Sequence, residues 1–418
     1  MDTIFAEATP PGRGGVSVVR ISGPNAHAAV AYLAGPVPEA RRAYLRALRD
    51  GDDLIDRALI LTFDAGESFT GEDVAELQLH GAPVIVSRIE QALLSFGLRR
   101  AEAGEFTRRA FLNGRIDLAK AEGLADLLAA ETEAQRKLAM TAADGAVRKV
   151  ADVIRKKLIR AGALVEASID FADEEVPEEI PSEAFVIIEE IRKELSHILY
   201  QYPATERLRQ GYEVAIIGPP NAGKSTLLNQ IAKRDIALVS DIAGTTRDVL
   251  ELRVDLRGLA VTFLDTAGLR ESDDQIEAMG VARAKKRAEN ADLRIHLSPE
   301  GEVQEGFVPG DLIVRSKSDL LTNQIGISGL TGQGVAELLE SVYSYLRNKA
   351  ADSGIVSHRR QADAISRAIK ALEFSEGELA ELIAEGIRQA VNEISAMVGR
   401  IGAEDYLDEV FSSFCIGK

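Results

Sequence analysis

The stretch GPPNAGKST, residues 218–226, closes the strand-like EVAIIG and opens the helical TLLNQIAK. It fits the pattern G-x-x-x-x-G-K-[ST] in the context that pattern requires. Its glycines let backbone N–H groups turn inward around phosphate oxygens, where a side chain would clash. Lys224 can reach the outer phosphates, and Ser225 offers its hydroxyl to a cation such as Mg2+. The helix that starts here adds its positive end. Asn221, Ala222, Gly223 and Thr226 complete the cradle. This is the chemistry of nucleoside triphosphate binding.

Three further pieces select guanine. In DIAGTTRD (241–248), a polar loop preceded by Ser240, Thr246 can complete the Mg2+ shell, and Asp241, Ile242, Ala243, Gly244 and Thr245 line the same turn. In DTAG (265–268), after the apolar VTFL, Asp265 would act through a Mg2+-bound water and Gly268 can donate its N–H to a terminal phosphate, with Thr266 and Ala267 between them. In SKSD (316–319), Asp319 can accept both the N1 and N2 hydrogens of guanine, a donor pair that adenine lacks; Ser316, Lys317 and Ser318 precede it, and SGL (328–330) can close over the base edge. In this order, at these spacings and after strands, the pieces predict a GTPase. Ser316 stands where GTPases usually have the Asn of Asn-Lys-x-Asp. That asparagine ties the base loop to the phosphate loop, so looser nucleotide binding is expected, with guanine selection kept at Asp319. Leu269 and Arg270 follow DTAG, so the glutamine that orients the attacking water in Ras-like proteins is missing. The side-chain carbonyl of Asn221 could ligate a monovalent cation. Glu277 in DQIEAMG either reaches the water or is a solvated helix glutamate; residue type decides neither.

These loops need a parallel sheet beneath them. Residues 211–347 alternate strand, loop and helix, with YEVAIIG, AVTFLDTAG and DLIVRSKSD as strands, the pattern of such a sheet. Residues 119–210 read as helices, broken by the Pro-rich and acidic ADEEVPEEIPSE (172–183). Residues 348–418 are again helical, with Leu379, Leu382, Ile383, Ile387, Val391, Ile394, Val398 and Ile401 on one stripe. Residues 1–118 mix strands (GVSVVRI, ALILTF, DVAELQLH) with the helical NAHAAVAYLA and APVIVSRIEQALLSF. The fold expected is α/β plus all-α: an N-terminal α/β domain and a discontinuous helical domain interrupted by a P-loop G domain.

Bulk composition narrows the partners. A net charge of −17 argues against coating nucleic acid, although RRAEAGEFTRRAFLNGR (99–115) carries five arginines against two glutamates and reads as a solvated surface or a local basic patch. One cysteine excludes an internal disulfide framework, and no Cys/His group has zinc spacing, so a reducing, cytoplasmic setting is expected. The opening MDTIFAEATP lacks a basic start and a long apolar run, so no signal peptide is expected, and no run of about 18 apolar residues occurs anywhere, so no membrane span is expected. The lone Cys415, in the terminal FSSFCIGK, reads either as a small apolar residue or as a functional thiol, and Gly417 and Lys418 fit a lipidation signal badly.

With these residues in hand, the chain resembles the MnmE (TrmE) family of bacterial tRNA modification GTPases. The likeness is carried by DTIFAEATPPGRGGVSVVRISG, FTGEDVAELQLHG, AGEFTRRAFLNGRIDLAKAEGLADL, VEASIDFADEE, the nucleotide motifs and FSSFCIGK, and so runs through essentially all 418 residues. The resemblance implies an N-terminal tetrahydrofolate-binding-like domain that forms a homodimer. It places 5,10-methylenetetrahydrofolate, or 5-formyltetrahydrofolate as its analogue, at Arg20, Glu76, Arg115 and Lys418. It implies Mg2+ at Ser225 and Thr246, and a hydrolysis-promoting K+ at Asn221, Ser240, Ile242 and Thr245. It makes Glu277 the water-orienting carboxylate and sets Cys415 near the modification centre as a catalytic candidate. It implies a FAD-dependent partner, MnmG (GidA), in a heterotetramer or larger complex. Together the two would add a carboxymethylaminomethyl or aminomethyl group to carbon 5 of the wobble uridine of certain tRNAs. A ribosome-assembly GTPase would share the G domain but lack the N-terminal α/β domain and the FCIGK tail. A stand-alone folate-dependent methyltransferase would turn over tetrahydrofolate without the partner.

Overall fold

A computed structural model describes residues 2–170, 180–234, 251–265, 286–303, 306–320, 326–375, 378–399 and 417. The chain divides into two compact units, Met1–Ala125 with Ser395–Lys418, and Asp126–Ile394.

The first unit is built on β1 (Ile4–Glu7), β2 (Val16–Ser22), α1 (Ala26–Ala34), β3 (Tyr44–Asp50), β4 (Asp53–Phe63), β5 (Val74–His80), α2 (Pro83–Ser95), β6 (Arg99–Arg100), α3 (Glu105–Leu112) and α4 (Leu118–Ala129). The strands form one sheet in the order β3-β4-β5-β2-β1-β6, antiparallel except for β1 with β6. Val19 and Ile21 of β2 and Leu77 and Leu79 of β5 point to a core that also holds Val30 of α1 and Ile89 of α2. Each such side chain contributes about 1.5–3 kcal/mol when buried. Because strand side chains alternate, Arg20 and Glu76 must lie on the opposite face. They are direct register partners. Pro83 stands in the first turn of α2, where its missing N–H has no partner to lose.

The second unit contains α5 (Glu133–Ala143), α6 (Ala146–Asp170), α7 (Ser182–Gln210), β7 (Tyr212–Ile217), α8 (Lys224–Ala232), β8 (Glu251–Leu256), β9 (Leu259–Asp265), β10 (Leu293–Ser298), β11 (Leu312–Arg315), α9 (Val335–Ala350), α10 (Arg359–Ala371) and α11 (Ala380–Met397). Thr132 and Gln135 form a capping box that starts α5, and Gln135 Nε2 donates to Arg209 O at the end of α7. The sheet order is β11-β10-β7-β9-β8, with only β8 antiparallel to its neighbour. Its core joins Val214, Ile216, Phe263 and Ile295 to Leu227 of α8 and Val342 of α9. β7 has β9 on one side and β10 on the other, so the winding reverses there. In open α/β sheets such a reversal opens a crevice at the carboxyl ends of the strands. At the two ends of this sheet-bearing segment, Arg209 Nε donates to Ser357 O at 3.0 Å, and Asp126 meets both Arg209 Nη1 at 3.5 Å and His358 Nε2 at 2.8 Å.

The stripe expected around α11 holds for Ile383, Ile387, Ile394 and Val398, which are buried, but Leu379 and Leu382 are exposed, and Ile401 lies outside the described residues. Those two leucines stand where α11 begins, before its apolar face is covered. Most of the acidic linker 172–183 also lies outside, and α7 starts at Ser182 behind Pro181. Among the described residues no helix is long and apolar enough to cross a membrane.

Candidate functional site

The crevice at the end of β7 is shaped by backbone before any side chain enters it. A Cβ on Gly218 would fall 2.1 Å from Leu297 O of β10, so only glycine lets the chain leave β7 this closely. The loop then turns through left-handed backbone at Asn221 (φ 62°) and Gly223 (φ 99°) and enters α8 at Lys224. Lys224 is 4% exposed. Its Nζ donates to Gly218 O at 2.7 Å and to Pro219 O at 3.0 Å. Burial holds the ammonium below the usual lysine range, and Asp265 pulls the other way. Ser225 Oγ donates to Asp265 Oδ2 at 2.6 Å. Asp265 is the last residue of β9 and lies opposite Ile216 of β7. A hydroxyl and a carboxylate thus converge from two elements, an oxygen donor set suited to a hard divalent cation.

The base-loop residues belong to the same body. Ser316 N donates to Ser298 O, Ser318 N to Ile327 O and Ile327 N to Arg315 O. A Cβ on Gly329 would sit 2.8 Å from Leu227 N, so the SGL loop lies directly on the first turn of α8. Lys317 takes left-handed backbone at φ 57°, and Asp319 is exposed in a short 3₁₀ turn. The hydroxyls of Ser316 and Ser318 are buried and have no hydrogen-bond partner among the described residues. A buried orphan hydroxyl costs stability. Ser316 therefore does not supply the tie that asparagine would give. Ser316→Asn is expected to tighten GTP binding several-fold, up to about tenfold; equal affinities by titration would show that the tie is made elsewhere.

In the first unit the Arg20 guanidinium meets Glu76 Oε1 at 2.9 Å, stacks over the Phe106 ring at 5.8 Å and reaches Gly417 O at 3.5 Å. Arg115 is exposed, and its stem packs on Gly71 of the FTGED turn, where a Cβ would lie 3.2 Å from Arg115 Cγ. The structure thus brings Arg20, Glu76 and Gly417 together, and separately Lys224, Ser225 and Asp265. Thr226 and Asn221 are exposed on the phosphate loop and Ala222 is buried within it. Ser240, Asp241, Ile242, Ala243, Gly244, Thr245, Thr246, Thr266, Ala267, Gly268, Glu277, Cys415 and Lys418 lie outside the described residues.

The basic stretch 99–115 is largely spent on ion pairs. Arg99 pairs with Asp2 and Glu105, and Arg100 with Glu90. Arg109 is 5% exposed and joins Glu72, Glu105 and Asp2 at 3.1, 2.9 and 2.8 Å. Ser22 Oγ also donates to Glu72, at 2.7 Å, so Arg109 anchors the FTGED turn that carries Gly71. Sequence reasoning missed this role because it weighed the arginines as a group. The Glu105–Arg109 spacing of four within EFTRR was the available signal.

Residues 118–415 match the family model described as the MnmE helical domain. The chain belongs to the MnmE (TrmE) family. Residues 3–115 match a second family model, the GTP-binding protein TrmE N-terminus. A Paracoccus denitrificans protein named tRNA modification GTPase MnmE is 70% identical over 419 residues, covering 100% of both chains. A Dinoroseobacter shibae protein of the same name is 49% identical over 429 residues, again covering 100% of both. Among solved structures, Aquifex aeolicus Era bound to GDP.AlF4- aligns with 40% of this chain and 69% of its own at 24% identity and a TM-score of 0.25, too slight a likeness to speak for the fold.

Proposed function

We propose that this chain is a tRNA modification GTPase that hydrolyses GTP at the 218–226 loop and acts on the wobble uridine of its tRNAs. The observation that carries the reading is the convergence of Lys224, Ser225 and Asp265 at the β7 reversal, in a chain matched over its whole length by proteins of that name. Lys224 Nζ, held by two loop carbonyls, exchanges them for phosphate oxygens when nucleotide enters. Ser225 and Thr246 would hold Mg2+, with Asp265 acting through a bound water, and the ion would supply charge neutralisation at the phosphates. Asp319 reads the guanine edge. Glu277 orients the attacking water. Asn221, with Ser240, Ile242 and Thr245, would hold K+, which supplies the positive charge otherwise brought by an arginine finger.

The finer architecture belongs to the same proposal: a Ras-like G domain at 211–347 inserted in a helical domain formed by 119–210 and 348–418, behind a folate-binding and dimerising domain at 1–118. Arg20 and Glu76, joined on the sheet face opposite the core, suit a ligand that carries both hydrogen-bond donors and carboxylates. With Arg115 and Lys418 they would hold the 5,10-methylenetetrahydrofolate that supplies the one-carbon unit. The protein works in the cytoplasm as a homodimer with FAD-dependent MnmG. GTP hydrolysis by the full chain, measured in potassium and in sodium buffer at equal ionic strength, tests the reading. Strong stimulation by potassium is the expected result. Equal rates would remove the cation roles of Asn221 and the 240–246 loop, and an absence of hydrolysis in both would remove the GTPase.

A further inference from the structure

Asp64 follows β4 and Asp73 precedes β5, and the last register pair of those strands is Phe63 with Val74. The two aspartates are therefore the next positions to face each other, and like charges set opposite across a ladder repel. Among the described residues no lysine or arginine pairs with either of them. The loop between them is held in place. Gly66 N donates to Gly71 O at 3.0 Å, Gly71 N to Ser68 Oγ at 2.9 Å and Ser68 Oγ to Glu72 O at 2.6 Å. Asp73 is fixed further, since its Oδ1 accepts from Ala65 N at 2.8 Å and its carbonyl from Gly23 N at 2.9 Å. What faces the pair is an imidazole. His27 stands in the first turn of α1. Its Nε2 is buried without a hydrogen-bond partner among the described residues. It lies 4.0 Å from Asp64 Oδ1, beyond hydrogen-bond reach. A buried polar atom left unsatisfied calls for an explanation, and an ion is one. One donor atom each from His27, Asp64 and Asp73 lies within 4.8 Å of the other two.

We propose that His27, Asp64 and Asp73 form a Zn2+ site that pins the 64–73 loop to α1. One imidazole nitrogen and two carboxylate oxygens make a mixed donor set. Zn2+ accepts both kinds of atom, whereas Mg2+ and Ca2+ take oxygen alone. Two carboxylates balance the charge of a divalent ion, and the ion removes their mutual repulsion. At bond lengths of about 2.0–2.2 Å, tetrahedral donors stand roughly 3.5 Å apart, so the three ligands need to close by about 1 Å. Asp64 has the freedom to do so, because its side chain is 67% exposed. The same open side lets the ion enter and leaves a fourth position for water. The ligands come from three separate elements of the fold, which is why no zinc spacing marks them in the sequence.

The experiment uses the full chain, stripped with a chelator and then kept in excess Mg2+ so that sites made of oxygen alone are filled. Zn2+ is titrated by calorimetry into the parent, His27→Gln and Asp64→Asn. Neither substitution removes an apolar contact of the core, and melting temperatures without Zn2+ check that each variant is folded. The parent is expected to show a Zn2+-binding component whose affinity falls by about 100-fold or more in both variants. Zn2+ should raise the melting temperature of the parent and leave that of the variants unchanged. Co2+ in place of Zn2+ should give the parent a visible absorption band that His27→Gln abolishes. A parent that binds no Zn2+, or isotherms that coincide in all three chains, would overturn the site. Binding lost in Asp64→Asn but kept in His27→Gln would overturn it as well, since the imidazole would then take no part. Should one variant melt early without metal, the other decides.

Discussion

Lys224→Ala is expected to lower kcat/KM for GTP hydrolysis by about 10²–10³-fold while leaving the fold intact. The side chain is almost wholly buried, yet it does not pack a core. It spends its protons on the carbonyls of Gly218 and Pro219. Those two oxygens belong to a loop that opens on the crevice, so water can replace the ammonium in the variant at small cost. What cannot be replaced is a fixed positive charge where the outer phosphates bind. Burial has already stripped that charge of much of its hydration, so its attraction for phosphate is less screened than a surface lysine's. Hydrolysis within twofold of the parent would sink the assignment of this loop. Circular dichroism melting of the same sample separates loss of chemistry from loss of structure.

Arg109→Met is expected to cost the first unit about 3–5 kcal/mol, because removing one member of a buried ion pair strands the others. Glu72 and Glu105 are 12% and 11% exposed and would lose their shared cation. The contact with Asp2 adds little, since that carboxylate is half exposed. The variant also has a pH signature. Burial raises the Glu105 pKa, but hydrogen bonds from Arg99, from the Glu102 N–H and from Arg109 together hold it below the usual glutamate range. A folded-state pKa below the unfolded one gives stability that is present above the ordinary carboxylate range and is lost as pH falls through it. The gap between parent and variant should therefore be widest near neutral pH and narrow below about pH 4. Urea unfolding followed by circular dichroism at both values checks this. A gap independent of pH would mean that Arg109 acts through packing alone.

The parts of the protein that could be read from its sequence are those where one residue type has one physical use. The loop at 218–226 is such a case: it follows β7 and opens α8 as its spacing implied, Gly218 and Gly223 stand where the backbone needs glycine, and the structure adds which groups Lys224 and Ser225 meet. Strands with strong β-branched or alternating patterns were legible too, as in β2, β5, β7 and β9. β3, with its arginines, and β8, with charges at alternate positions, were not legible, because their pairing partners define them more than their own composition does. Leu379 and Leu382 were assigned to a buried stripe by periodicity, which cannot tell where a helix face stops being covered. Arg109 was hidden for a related reason. A buried arginine and a surface arginine look alike until the carboxylates around it are known, and Glu72 lies 37 residues away.

Arg209 and Ser357 are separated by 148 residues and joined by a single hydrogen bond. In polymer terms the segment between them is a closed ring drawn from a linear chain, clipped at its neck by Asp126. The entropy of closing such a ring grows only with the logarithm of its length. Closing a ring of 148 residues therefore costs about 3 kcal/mol more than closing a short turn, and each further doubling of its length adds only about 0.6 kcal/mol. What the ring does require is that its two ends stay adjacent. Selection should accordingly act on Asp126, Arg209 and His358 as the neck, and far less on how much chain passes through it.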